Sequence, residues 1–147
     1  MRTDGARSYR PGMTTATTTS DIDLVRGGFE AVARGDIAGF AAVFHPDATW
    51  DHRNPDSLGG VKHGVDAIVG FLAESMELTA GTLAPIPEVF MADGAGSVAV
   101  RTRITASRPD GRQLDDLQIL LFSVEDGRTR SVDQFIGDPP AVTAFWA

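Results

Sequence analysis

The stretch SVAVRTRITASRPDGRQLDDLQILLFSVEDGRTRSVDQFIG, residues 97–137, decides the fold class. Its first eleven residues alternate, with Val98, Val100 and Ile104 on one side and Arg101 and Arg103 on the other. That period of two belongs to a strand with one buried face. RPDGR and DGR carry the residues of tight turns, so 97–107, 113–125 and 129–137 read as an antiparallel meander. Along the middle strand, Leu114, Asp116, Gln118, Leu120 and Phe122 share one face, and Asp115, Leu117, Ile119, Leu121 and Ser123 share the other. EVFMA, residues 88–92, reads as a short strand before them.

Upstream the period is helical. Ile22, Val25, Phe29 and Val32 make one apolar stripe, with Ser20 or Asp21 as its cap and Gly35 as its end. Gly27 and Gly28 inside that stripe each cost about 0.5–1 kcal/mol relative to alanine, which suggests close packing or room for a ligand. Ile37, Phe40, Ala41 and Phe44 mark a short second helix, and Val65, Ile68, Val69 and Leu72 a third. Between them, Pro46 and Asp47 read as a turn, ATWDHR (48–53) as a strand and NPDSLGGVKHG (54–64) as a loop. Helices followed by a meander give an α+β order. A curved antiparallel sheet wrapped around three N-terminal helices leaves a pocket at its open end.

The chain has 147 residues, 42% of them hydrophobic, which suits a single domain with a real core. Residues 1–20 differ, with three arginines, one acid and a Thr/Ala/Ser run. They are expected to be a flexible tail ahead of one domain over 21–147, and Met13 is an alternative start. The tail has no apolar h-region, so a secretory leader is not expected and a cytoplasmic protein is. No apolar run approaches the roughly 20 residues of a membrane span. Without the tail, 10 basic and 19 acidic residues remain, a balance that repels phosphate backbones and argues against nucleic acid as partner. No cysteine is present, so thiolate metal sites, disulfides and a cysteine nucleophile are excluded. His45, His52 and His63 lack the spacing of a helical zinc pair, and no nucleotide-binding glycine motif occurs. Neither metal nor cofactor is expected.

Three segments, FEAVARGDIAGFAAVFHPDATWDH (29–52), HGVDAIVGFL (63–72) and LLFSVEDGRTRSVDQFIGD (120–138), resemble the nuclear-transport-factor-2-like superfamily. The likeness is to its SnoaL-like polyketide cyclase and steroid Δ-isomerase branches. It implies a cone-shaped α+β barrel with a deep apolar pocket, and a homodimer through the outer face of the sheet. The steroid isomerases carry a catalytic aspartate at the position of His52, two residues beyond Trp50. The resemblance therefore makes His52 the acid/base and Trp50 pocket wall. The isomerases' oxyanion donors fall at Gly28 and Leu120, where neither side chain can donate. The superfamily's epoxide hydrolases carry an Arg-x-Asp strand and a last-strand aspartate. Here those places hold Arg101-Thr-Arg103 and Gln134.

An imidazole exchanges protons near neutral pH, which suits acid/base work. The alternative for His52 is a strand-end histidine bonded to loop backbone. Asp116 can orient His52, act as a base itself, or sit solvated at the strand start. Gln118 and Gln134 can polarise a substrate oxygen or be ordinary polar residues at the sheet margin. Trp50, Phe71, Phe122 and Trp146 are expected to shape the pocket. Arg101 and Arg103 are expected in surface ion pairs. The expected function is cofactor-free proton transfer, cyclisation or dehydration on a small apolar carbonyl compound of polyketide or terpenoid type. The alternative is a non-catalytic binding or accessory protein.

Overall fold

A computed structural model describes residues 13–147, with side chains described from residue 21 onward. Of the tail expected over residues 1–20, residues 1–12 lie outside the described residues and 13–20 are helical. The elements are α1 (Met13–Ala33), α2 (Ile37–Ala42), β1 (Phe44–Arg53), β2 (Gly60–His63), α3 (Val65–Leu78), β3 (Ala84–Ala92), β4 (Ser97–Ser107), β5 (Gln113–Glu125), β6 (Arg128–Phe135) and α4 (Pro139–Trp146). The first helix thus begins at Met13 and not at a cap near Asp21.

The six strands form one curved, unclosed sheet in the order β2-β1-β6-β5-β4-β3. Every neighbouring pair is antiparallel except β1 and β6, which run parallel. The α+β fold with a curved sheet against the helices is as expected; the sheet differs in being mixed and unclosed, where an antiparallel one was expected. β1 leaves the helices at the start of the chain and β6 returns beside it only after the meander is complete, so no hairpin dictates their direction.

β4 and β5 have the predicted bounds. Their faces also divide as the alternation requires, with Leu114, Asp116, Gln118, Leu120 and Phe122 all buried. Other segments differ. β1 continues back through Pro46 and Asp47 to Phe44, with its register against β6 broken between Phe44 and Thr49. Proline cannot donate to a ladder and sits where the ladder is interrupted. β3 starts at Ala84 and takes in Pro85 and Pro87, which an edge strand tolerates. Four residues of the expected loop pair with β1 as β2. The C-terminal segment is the helix α4, capped by Asp138, whose carboxylate accepts the Ala141 N–H at 3.2 Å.

The helices pack on the concave face. Val25 and Phe29 of α1 and Ile68 and Leu72 of α3 meet Trp50, Val98, Val100, Leu120, Phe122 and Val132 of the sheet. A second cluster gathers Leu58, Ile104, Leu114, Val142, Phe145 and Trp146, so α4 closes the other end. Arg108 and Arg112 donate to the last carbonyls of α4, complementing the negative end of its dipole. Of Gly27 and Gly28 in α1, Gly28 is where space is short: a Cβ there would lie 3.3 Å from Val43 Cγ2. Gly27 has open space and no packing reason for being glycine.

Candidate active site

A cavity of about 90 Å³ lies between the helices and the sheet, bounded by residues of both clusters. Its wall is almost wholly apolar: Val25, Phe29, Phe40, Leu72, Ile104, Leu114 and Leu120 contribute to it. Trp50, Phe71, Phe122 and Trp146 line it, and the Trp50 indole stands 5.8 Å from the Phe71 ring and 6.3 Å from the Phe122 ring, centre to centre. His52, Gln118 and Gln134 bring polar atoms to this wall from β1, β5 and β6.

These three belong to one buried hydrogen-bonded chain. Trp50 Nε1 donates to Gln134 Oε1 at 2.8 Å, Gln134 Nε2 donates to Gln118 Oε1 at 2.8 Å, and Gln118 Nε2 donates to Asp116 Oδ2 at 3.1 Å. Asp116 Oδ2 also accepts the Gly137 N–H at 3.0 Å, and its Oδ1 accepts the Asp138 N–H at 3.0 Å. Register explains the alignment. His52 lies opposite Gln134 across the parallel β1–β6 pair, and Gln134 lies opposite Leu120 on β5, beside Gln118.

The direction of every bond is settled by the two ends. An indole N–H can only donate, so the Gln134 oxygen must face Trp50. At the far end Asp116 already accepts two backbone N–H groups, so Gln118 turns its amide nitrogen to it. His52 Nδ1 lies 3.1 Å from the same Gln134 oxygen and is therefore the donor to it. Its other nitrogen, Nε2, lies 2.8 Å from Asp56 Oδ2. Both side chains of that pair are sealed off, at 2% and 0% exposure. Each glutamine amide nitrogen retains one N–H beyond the bond it makes in the chain.

Asp116 does not touch His52. The partner of the imidazole is Asp56, from the stretch read as an ordinary loop. Asp116 is buried but anchors the β6–α4 junction through Gly137 and Asp138, which corrects both its expected orienting role and its solvated alternative. His52 bonds to side chains and not to loop backbone. Periodicity gave no signal for Asp56: β1 ends at Arg53, and Asp56 comes back to the ring from the bends and turns of 54–58, where strand alternation no longer applies. The Asn54 amide nitrogen donates to Asp56 Oδ2 and, at 3.0 Å, to Thr143 Oγ1 of α4. Leu58 N–H donates to Asp56 Oδ1 at 2.8 Å. Lys62 closes the same loop by donating to the carbonyl oxygens of Leu58, Gly59 and Gly60. Burial holds the Lys62 ammonium below the ordinary lysine range, against the opposing pull of Asp56, Glu74 and Asp51.

Arg101 and Arg103 lie on the outer face and pair with Glu88, and Arg103 also with Asp115 at 2.6 Å. Among the described residues no three His, Asp or Glu side chains converge as a metal site would require. No described helix is long and apolar enough to cross a membrane.

The family profile of the SnoaL-like domain matches residues 25–132. An uncharacterized protein of Mycobacterium tuberculosis is 36% identical over 131 residues, spanning 89% of this chain and 99% of that protein. Among solved structures, Bal32a from a soil-derived mobile gene cassette is similar with a TM-score of 0.86 at 24% identity, over 89% of this chain and 99% of Bal32a. An NTF2-like protein of unknown function from Burkholderia pseudomallei is similar with a TM-score of 0.78 at 24% identity, over 87% of this chain and 98% of its own. Both structures share the fold.

Proposed function

We propose that this chain, which belongs to the SnoaL-like domain family, is an enzyme that moves protons on a small, largely apolar carbonyl compound. The reaction class is cyclisation, isomerisation or dehydration of a polyketide- or terpenoid-like molecule, and it invokes no cofactor. One observation carries this reading: a buried imidazole and two amides are set together in the wall of a largely apolar cavity. Buried polar groups persist where they are hydrogen-bonded, and these lie where a ligand would sit. His52 is the group that gives and takes the proton. The N–H that Gln118 and Gln134 each keep in reserve suits a carbonyl oxygen whose charge grows in the transition state. A positioned acid/base is worth about 10²–10⁴-fold in rate.

A specific observation favours the second reading, a binding protein without catalysis: both nitrogens of His52 are already bonded inside the protein. One experiment separates the two. The protein is incubated with 2-tetralone, an apolar bicyclic ketone, in D₂O, and deuterium at the α-carbon is followed by mass spectrometry. Exchange above buffer that is lost in His52→Ala supports the enzyme. Exchange retained in His52→Ala removes His52 from the mechanism. Ligand-induced NMR shifts without exchange support the binding reading.

We also propose that two copies associate through the outer face of the sheet. Ile86, Val89, Met91, Leu117, Ile119 and Phe135 are 37–49% exposed there, an apolar surface of the kind that marks association.

A further inference from the structure

We infer that Asp56, and not Asp116, is the positioning residue of His52, holding the imidazole doubly protonated before any ligand arrives. The inference deepens the enzymatic reading above and rests on it for its catalytic meaning; the protonation state stands on hydrogen-bond geometry alone.

Protons can be counted from the contacts. Nδ1 must carry one, because the Gln134 oxygen it faces is fixed as an acceptor by the Trp50 indole. The 2.8 Å contact between Nε2 and Asp56 Oδ2 needs a second proton on one of the two atoms. Asp56 already accepts from the Asn54 amide on the same oxygen and from the Leu58 N–H on the other. A carboxylate that collects donors on both oxygens is stabilised as the anion. The second proton therefore belongs on Nε2, and the pair is imidazolium with carboxylate. Such a buried pair persists only where the remaining lone pairs are satisfied, and here two donors besides the ring satisfy them. The Lys62 ammonium, anchored to the carbonyls of the same loop, adds a positive charge on Asp56's side.

The two ring protons are held unequally. Nε2–H faces a charged acceptor at 2.8 Å. Nδ1–H faces a neutral amide oxygen at 3.1 Å, which it shares with Trp50. Nδ1 is thus the working nitrogen, and His52 acts first as an acid. When a ligand carbonyl oxygen replaces Gln134 as acceptor, the Nδ1–H bond breaks and an O–H bond forms. The neutral ring keeps its Nε2–H on Asp56. Nδ1 then takes the α-proton of the protonated ketone, so the C–H bond breaks, the enol forms and the imidazolium is restored. Protons balance over the two steps.

The test uses ligand-free protein with ¹⁵N-labelled histidine, reading the protonation of each ring nitrogen by long-range ¹H–¹⁵N NMR at neutral pH. His52→Gln identifies the His52 signals. In the wild type both His52 nitrogens should show the protonated signature, and in Asp56→Asn only Nδ1 should. Asp116→Asn should keep the wild-type pattern. An unprotonated Nε2 in the wild type, or an unchanged ring in Asp56→Asn, overturns the assignment, and so does loss of a ring proton in Asp116→Asn. The wild-type spectrum decides even if a variant fails to fold. A doubly protonated ring in a protein that exchanges no ketone supports the Asp56 assignment while overturning the enzymatic reading, so the two failures are distinguishable.

Discussion

Trp50 Nε1 donates to Gln134 Oε1 at 2.8 Å across the parallel β1–β6 pair, and this bond fixes which way round the Gln134 amide sits. With the donor removed, the amide is free to turn and the acceptor for His52 is no longer assured. Trp50→Phe keeps the aromatic bulk but not the N–H. It should cost about 1–3 kcal/mol in urea unfolding, the range for disturbing a buried hydrogen bond. The His52 ring signals should shift with it.

Asp116 ties β5 to the turn that starts α4. Asp116→Ala leaves two backbone N–H groups, of Gly137 and Asp138, and one amide of Gln118 without their acceptor. Bonds to charged groups are worth about 1.5–3 kcal/mol each, so the loss should reach at least that size in denaturant unfolding. Limited proteolysis should cut within α4 sooner than in the wild type, because Phe145 and Trp146 lose their anchored entry.

Gly59 sits where a Cβ would collide with the carbonyl oxygen of Asn54. Gly59→Ala must shift the loop that carries Asp56 and should cost about 1–3 kcal/mol, as overpacking does. The displaced loop should also break the contact between Asp56 and His52. A changed His52 ring spectrum with the fold otherwise retained, read by circular dichroism, is the expected outcome.

Burial, and secondarily the neighbouring Asp93, raises the pKa of Asp21 above its ordinary value. A carboxyl raised on folding contributes stability that is present below its unfolded pKa and lost as the pH climbs through its folded one. Asp21→Asn removes that loss. The variant should have the higher Tm at pH 7, and its advantage should vanish well below the usual carboxylate value of about 4. Thermal scans across this range check both the sign and the window.

Ile119 lies opposite Phe135 on β6 and opposite Arg101 on β4, with both hydrophobic side chains exposed. Ile119→Arg would place a charge in the middle of the proposed contact and beside another arginine. Light scattering after size exclusion should find the wild type dimeric and the variant monomeric. A monomeric wild type removes the dimer.

Alternation and helical periodicity are local, and what depends on them was legible. The bounds of β4 and β5 and the sharing of one face by Leu114, Asp116, Gln118, Leu120 and Phe122 follow from side chains pointing alternately to two faces. Alternation left open which face is buried, and the fold put Asp116, Gln118 and Gln134 inside and Arg101 and Arg103 outside. The resemblance in 29–52, 63–72 and 120–138 singled out His52. Three things were decided only when distant segments met. The parallel pairing of β1 with β6 set His52 against Gln134, 82 positions away. A loop held by Lys62 brought Asp56, and not Asp116, to the imidazole. The direction of every amide in the buried chain came from a donor-only indole at one end and a saturated carboxylate at the other. A side chain's face is set by its neighbours in the chain, but its proton is set by whichever groups the completed fold places within about 3 Å.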